Sequence, residues 1–253
     1  MTILRTPEER FNGLKDFDFE PNYFEVCHGE DKLRMHYLDE NPSSKDVVLL
    51  LHGEPSWCYL YRKIIPHLVE AGKRVIAPDL IGFGKSDKYK DKEAYTYANH
   101  IDWTSQLFDH LQLDNIILFA QDWGGLIGLR ILTAQPDKFS GLIVSNSGLP
   151  VGIGATEGFN QWLNYSQTVE DFNCGKIVYQ GSMKKLDEAE IAATITRFFG
   201  HQLSDFFSFN IFKFLKWSEK KLSRKICYIL EKLNVMPLRL VSLSKQMTRL
   251  KYI

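Results

Sequence analysis

Residues 115–135 read NIILFAQDWGGLIGLRILTAQ, and this stretch decides the fold. NIILFAQ is a continuous apolar run, as expected of a β-strand buried on both faces. GLIGLRILTAQ has helical spacing and is cut off near Pro136. Between them lies Ala120-Gln121-Asp122-Trp123-Gly124, with small residues two before and two after Asp122. A strand-to-helix turn that presents a nucleophile needs such residues, because its strained backbone crosses close to itself. The competing reading is an aspartate that merely caps the following helix. An ordinary cap does not require the flanking small residues, so the elbow is the better reading.

Moving outward from the elbow, strands and helices alternate. Residues 22–39 read as a hairpin turning at His28-Gly29-Glu30-Asp31. DVVLLLHG and RVIAPDL are further buried strands, and SGLIVSNSG follows the elbow helix as a fourth. YLYRKIIPHLVEAG has helical spacing with Pro66 in its middle and a terminating Gly72, and YTYANHIDWTSQLFDHLQL reads as a longer helix. This alternation implies an α/β protein, a mainly parallel sheet with helices on both faces. After Pro150 the rhythm stops. EGFNQWLNYSQ and LDEAEIAA look helical, separated at Asn173-Cys174-Gly175 and Gly181-Ser182. Helices placed there would lie over the carboxyl edge of the sheet, where open α/β folds bind ligands. The organisation is therefore a core over 1–150, the start of a helical cap over 151–192 and an atypical segment over 193–253.

The 253 residues suffice for a sizeable core, and 44% hydrophobic with 25% charged residues is ordinary for a globular protein. Zero formal net charge gives no sign of a nucleic-acid or membrane partner. Cys27, Cys58, Cys174 and Cys227 form no CxxC pair, which argues against a disulfide framework or a zinc site and fits a reducing compartment. The start, MTILRTPEERF, lacks the apolar stretch of a signal peptide, and no apolar run approaches the ~18 residues of a spanning helix. The expectation is a cytoplasmic monomer.

The combination of HGEPSW (52–57), APDLIGFGKSDK (77–88) and QDWGG (121–125) resembles the haloalkane dehalogenases of the α/β-hydrolase superfamily. The likeness covers roughly residues 20–192, with three motifs in order at suitable spacing. It implies Asp122 as catalytic nucleophile and the backbone amides of Glu54 and Trp123 as oxyanion hole. It also implies the Trp123 indole N–H as halide donor, a small halogenated substrate and water as partners, and neither metal nor organic cofactor. A second halide donor would come from a cap tryptophan; Trp162 is the one available between 150 and 192, and it reads equally well as a packing residue.

The chemistry accounts for the carboxylate independently. A nucleophile that displaces halide from an sp³ carbon becomes alkylated. Alkylated serine is an ether that water cannot readily cleave, whereas alkylated aspartate is an ester whose carbonyl carbon water can attack. With a reference pKa of about 3.9, aspartate also ionises at neutral pH without a base. His52 and Asp79 read as loop-organising residues, since in this superfamily the base follows the nucleophile in the chain.

The resemblance fades after residue 192. Relatives of this kind continue into further strands, a second carboxylate and a late histidine that activates water. Residues 193–253 instead hold twelve Lys/Arg against three Asp/Glu, and His201 is the one histidine beyond residue 110. It sits where the cap should still be running. No acid or base is assigned, so impaired turnover is expected. A non-catalytic remnant or binding protein is one alternative. An epoxide hydrolase is the other; it would need acidic donors such as Tyr165 or Tyr179.

Overall fold

All five side chains of Val47–Leu51 are buried, which requires cover on both faces of the sheet they join. The computed structural model of the protein describes residues 1–145, 147, 157–169, 174–182 and 186–195. In chain order its strands are β1 (Ile3–Leu4), β2 (Asn22–His28), β3 (Asp31–Glu40), β4 (Val47–Leu51), β5 (Arg74–Pro78), β6 (Lys88–Tyr89), β7 (Ile116–Gln121) and β8 (Phe139–Ser145). The helices are α1 (Ile65–Glu70), α2 (Tyr97–His110), α3 (Trp123–Ala134), α4 (Glu157–Thr168), α5 (Cys174–Gly181) and α6 (Glu188–Ile195). Six strands form one sheet in the order β2-β3-β5-β4-β7-β8, while β1 and β6 pair separately.

The hairpin forms as expected, with Gly29 at φ +60° in the turn that joins β2 to β3. β3 then runs antiparallel to β5, whereas β4, β5, β7 and β8 are mutually parallel along the sheet. These four are the apolar runs that read as buried strands. Leu33, Leu38, Leu50, Leu51, Ile76 and Leu118 are fully enclosed, and Trp103 and Leu107 of α2 pack into the same core. Phe108 of α2 stacks on Phe139 of β8 at 5.6 Å, which ties helix to sheet. The Thr96 hydroxyl caps α2 by accepting the Asn99 amide at 3.1 Å.

Two helices differ from expectation. The segment around residues 59–72 is broken into a 3-10 turn at Cys58–Tyr61 and the short α1. Pro66 falls in the first turn of α1, where its missing N–H removes no internal hydrogen bond, rather than in a helix interior. Cys174, Gly175 and Gly181, expected to separate helices, instead form the ends of α5, which packs against α6. Glycine at a helix end costs less than in its middle, so tertiary packing overrides the local signal.

α6 is fastened to the segment that follows β4. The Trp57 indole N–H donates to Ala193 O at 3.1 Å, and Glu190 receives Arg62 at 2.5 Å and Lys63 at 3.2 Å. Lys15 pairs with Asp187 at 2.7 Å. His201 and the basic stretch from 196 onward lie outside the described residues. Among the described residues, no helix is long and apolar enough to cross a membrane.

Asp79, just beyond β5, organises the loops beside this segment. It is fully buried and receives the Cys58 amide at 2.8 Å, the Lys85 amide at 2.9 Å and His36 Nδ1 at 2.8 Å. Burial alone would push its carboxyl up, but His36 and the Cys58 amide outweigh that and hold it at about 2. A carboxyl whose pKa is depressed on folding adds stability that is present above its unfolded value and fades as pH falls toward the folded one. Asp79→Asn is therefore expected to lose about 2–3 kcal/mol at neutral pH. The deficit should shrink as pH drops from about 4 to about 2. Urea unfolding across that range checks it; equal midpoints at neutral pH would refute the assigned role.

Candidate active site

β4 and β7 are adjacent and parallel, with Leu51 opposite Ala120. The residues that leave their carboxyl ends, His52-Gly53-Glu54 and Gln121-Asp122-Trp123, therefore emerge side by side at the edge where open α/β sheets hold ligands. Asp122 occupies φ 53°, ψ −122°, a conformation that costs a non-glycine residue about 1–3 kcal/mol. The neighbours over-determine it. A side chain at position 124 would run into the carbonyl oxygens of Leu51 and His52, and one at position 53 into Asp122 itself. The Asp122 amide donates to Ser145 O at 3.2 Å, and the Ser147 hydroxyl donates to Asp122 O at 2.8 Å. The turn is strapped to the end of β8.

Asp122 stands at the N-terminus of α3 yet makes no side-chain capping bond there. Its carboxylate instead receives the Glu54 amide at 2.9 Å and the Trp123 amide. The bond to the second or third helical amide that defines an ordinary cap is absent. Burial pushes the Asp122 carboxyl up to about 6, and the Trp123 and Glu54 amides pull against that rise. Glu54 lies well above the usual carboxylate range, first through burial and then through the Asp122 charge. Its Oε1 and Gln121 Oε1 are enclosed and have no hydrogen-bond partner among the described residues.

His52 is fully buried and serves the loop. Its Nδ1–H donates to Gly53 O at 3.0 Å while Nε2 accepts the Leu80 amide at 3.0 Å. Those partners fix the neutral tautomer, and burial lowers its pKa further. Tyr61 donates to Leu51 O at 2.7 Å, which steadies the carboxyl end of β4. His36, Cys58 and Asp79 are the one described group of metal-ligating side chains, all buried, but Asp79 already serves the three partners named above.

The structure thus brings Asp122 together with the amides of Glu54 and Trp123. The Trp123 side chain is buried, with its ring 6.5 Å from that of Tyr97. Trp162 lies on α4 with its ring 5.9 Å from Tyr165. Tyr165 and Tyr179 are 41% and 47% exposed, which gives no support to buried acid donors at the site. Sequence reasoning missed the Ser147 strap and the Glu54 Oε1 that has no partner among the described residues. The motif HGEPSW signalled the position of Glu54, but its burial is a tertiary property.

Comparison with known proteins identifies the family to which this fold belongs. Residues 46–209 match the alpha/beta hydrolase fold family. A haloalkane dehalogenase of Psychrobacter cryohalolentis is 52% identical over 197 residues, 76% of this chain and 64% of the relative. One of Mycolicibacterium paratuberculosis is 46% identical over 188 residues, 74% of this chain and 62% of the relative. The solved tetrameric haloalkane dehalogenase of Paraglaciecola agarilytica superposes with a TM-score of 0.79 at 35% identity, covering 91% of this chain and 78% of that one. The chain spans less than two thirds of the length of the curated relatives it matches.

A carboxyl whose pKa is raised on folding costs stability as pH rises, from its unfolded value up to its folded one. For Asp122 that window runs from about 4 to about 6, so its ionised form burdens the folded state at neutral pH. Asp122→Asn, which keeps the shape and an acceptor for the two amides, is expected to melt higher than wild type at neutral pH. The gain should disappear below about pH 4. Thermal unfolding at both pH values measures it, and a lower melting point at neutral pH would contradict a burial-raised carboxyl at this position.

Proposed function

Because this chain belongs to the haloalkane dehalogenase family of α/β-hydrolase-fold proteins, we propose that it takes a small haloalkane and that Asp122 is its nucleophile. The single observation that carries the reading is the Asp122 carboxylate, held on a strained elbow with two backbone N–H groups aimed at it. An Asp122 oxygen attacks the carbon that bears the halogen. The carbon–halogen bond breaks, halide departs with the electron pair and Asp122 becomes an alkyl ester. Trp123 supplies an indole N–H to the departing halide, which must exchange its hydration for donors. Water then attacks the ester carbonyl carbon. The negative charge that forms on the Asp122 oxygen meets the amides of Glu54 and Trp123 as oxyanion hole, and the alcohol leaves.

Hydrolysis also needs a base for the water, and no described histidine is free for it near Asp122. His52 has both ring nitrogens bonded to the backbone, and His36 is paired with Asp79. With no such base among the described residues, alkylation is expected to outrun hydrolysis of the ester; losing a general base costs about 10²–10⁴-fold in such a step. The epoxide hydrolase alternative loses ground because Tyr165 and Tyr179 are exposed. The tetramer solved for the Paraglaciecola agarilytica relative favours an oligomer over the monomer expected from the sequence, which light scattering on the purified chain decides.

Incubation with a reactive bromoalkane is expected to release close to one bromide per chain and to leave the alkyl group on Asp122 in peptide mass mapping. The alkylation rate should fall as pH drops through about 6, where the nucleophile becomes protonated. An adduct elsewhere, or one that persists in Asp122→Ala, removes the assignment, and sustained multiple turnover refutes the slow hydrolysis.

Halide quenching of tryptophan fluorescence reports on Trp123 separately. Trp123→Phe keeps a ring but loses the N–H, so halide affinity is expected to drop roughly tenfold, the equivalent of about 1.4 kcal/mol. Unchanged affinity in the folded variant would exclude Trp123 as donor.

A further inference from the structure

In the proposed chemistry Glu54 acts through its backbone amide, and its side chain has no task. Yet the residue whose amide lies 2.9 Å from Asp122 Oδ1 also brings a second carboxyl group to the site. Part of Glu54 reaches the surface, but its Oε1 is sealed from solvent and unpartnered among the described residues, as is Gln121 Oε1. An ionised Glu54 would be acceptor-only, adding a third party to a site already short of donors. It would also place a second enclosed negative charge beside Asp122. Among the described residues, the neighbouring titratable groups do not compensate it. His52 is held neutral by Gly53 O and the Leu80 amide, and the Tyr61 hydroxyl is committed to Leu51 O. Like charges that act on one another in a water-poor site disfavour each other's ionisation.

We propose that Glu54 is the proton holder of this site: its side chain stays a neutral carboxylic acid, so that Asp122 alone carries the negative charge. The asymmetry comes from the backbone. Asp122 receives two amide hydrogens that favour its charged form, whereas Glu54 Oε1 receives none. Burial and the Asp122 charge both act to keep the Glu54 proton in place. Two carboxyls whose surroundings push them apart in this way take different roles from one residue chemistry. Glu54 acts through Asp122, as a positioning residue for charge, and does not touch the reacting carbon. Alkylation converts Asp122 to a neutral ester and removes one of the two influences on Glu54, so the alkyl-enzyme holds that proton less tightly. The role in alkylation rests on Asp122 being the nucleophile; the protonation itself does not.

Infrared spectroscopy of the full chain with carboxyl-labelled glutamate reads the proton directly and needs no substrate. A protonated-glutamate carbonyl band is expected at neutral pH and should be absent in Glu54→Gln. In Asp122→Asn, which removes the neighbouring charge, the band should vanish at a lower pH, by about one unit or more. A wild-type protein with every glutamate ionised at neutral pH overturns the proposal, even if Glu54→Gln fails to fold. An Asp122→Asn band that titrates as in wild type overturns it too. For the rate, wild-type alkylation is expected to decline on the alkaline side as Glu54 ionises, and Glu54→Gln to lose that decline. An alkaline limb that persists in folded Glu54→Gln refutes the link to Asp122. If the band is present but no alkylation occurs at any pH, the nucleophile reading fails while the proton assignment stands. Alkylation of Asp122 without the band leaves the nucleophile in place and removes the proton from Glu54.

Discussion

The site depends on one close approach. Gly124 lies against the carbonyl oxygens of Leu51 and His52, and only hydrogen on its Cα allows the first turn of α3 to come that near to the end of β4. That contact sets the distance between two loops that leave neighbouring parallel strands. Once it is made, the Glu54 amide reaches Asp122 Oδ1 at 2.9 Å, and Gly53 has no Cβ to obstruct it. The Ser147 hydroxyl holds the elbow from the β8 side, and Tyr61 holds the β4 end through Leu51 O. Each strap acts on backbone, so the catalytic geometry belongs to the sheet rather than to flexible side chains.

Asp79 and Asp122 show how the same residue type acquires opposite properties just beyond β5 and β7, the two strands that flank β4. Asp79 is fully buried and Asp122 is half-buried, and burial alone would raise each carboxyl. Asp79 has two amides and the His36 ring at its oxygens and sits at about 2. Asp122 has two amides and, among the described residues, no histidine partner, and burial pushes it up to about 6. The difference is the histidine partner. Asp79 is thereby committed to architecture, a permanently ionised post for loop amides. Asp122 remains ionised at neutral pH but unneutralised, the state that the proposed nucleophile role requires.

Much of this was legible in the chain. Val47–Leu51 and Ile116–Gln121 announced themselves as doubly buried strands through unbroken apolar runs, and the elbow through Ala120 and Gly124 around Asp122. The loop role of His52 and Asp79 was legible from their position before Asp122 in the chain. What the pattern concealed is tertiary. α5 begins and ends at glycines that locally read as breaks, and it forms because it packs on α6. α1 shrank because Pro66 suits a first turn better than an interior. Ser147 is one polar residue among several after β8, and its bond to Asp122 O follows from where the sheet ends. The proton on Glu54 has no sequence signature at all, since it follows from enclosure beside a second carboxyl.

The elbow scaffold is indifferent to the nucleophile it presents; the chemistry selects the residue. Serine on such a turn needs a base before it can attack, while a carboxylate is ready once it has lost its proton. Readiness has a structural cost here. A halide can leave only into a site that replaces its water with fixed donors, and a site dry enough for that also resists the charge of Asp122. Burial raises Asp122 to about 6, and two amides that the backbone supplies pull against that rise. A lysine or arginine beside Asp122 would relieve the strain and lower the pKa. It would also pair with the nucleophile and blunt its attack. A site built on backbone amides, with its surplus proton parked on a neighbouring acid, keeps the charge exposed to the substrate at a stability cost that the rest of the sheet absorbs.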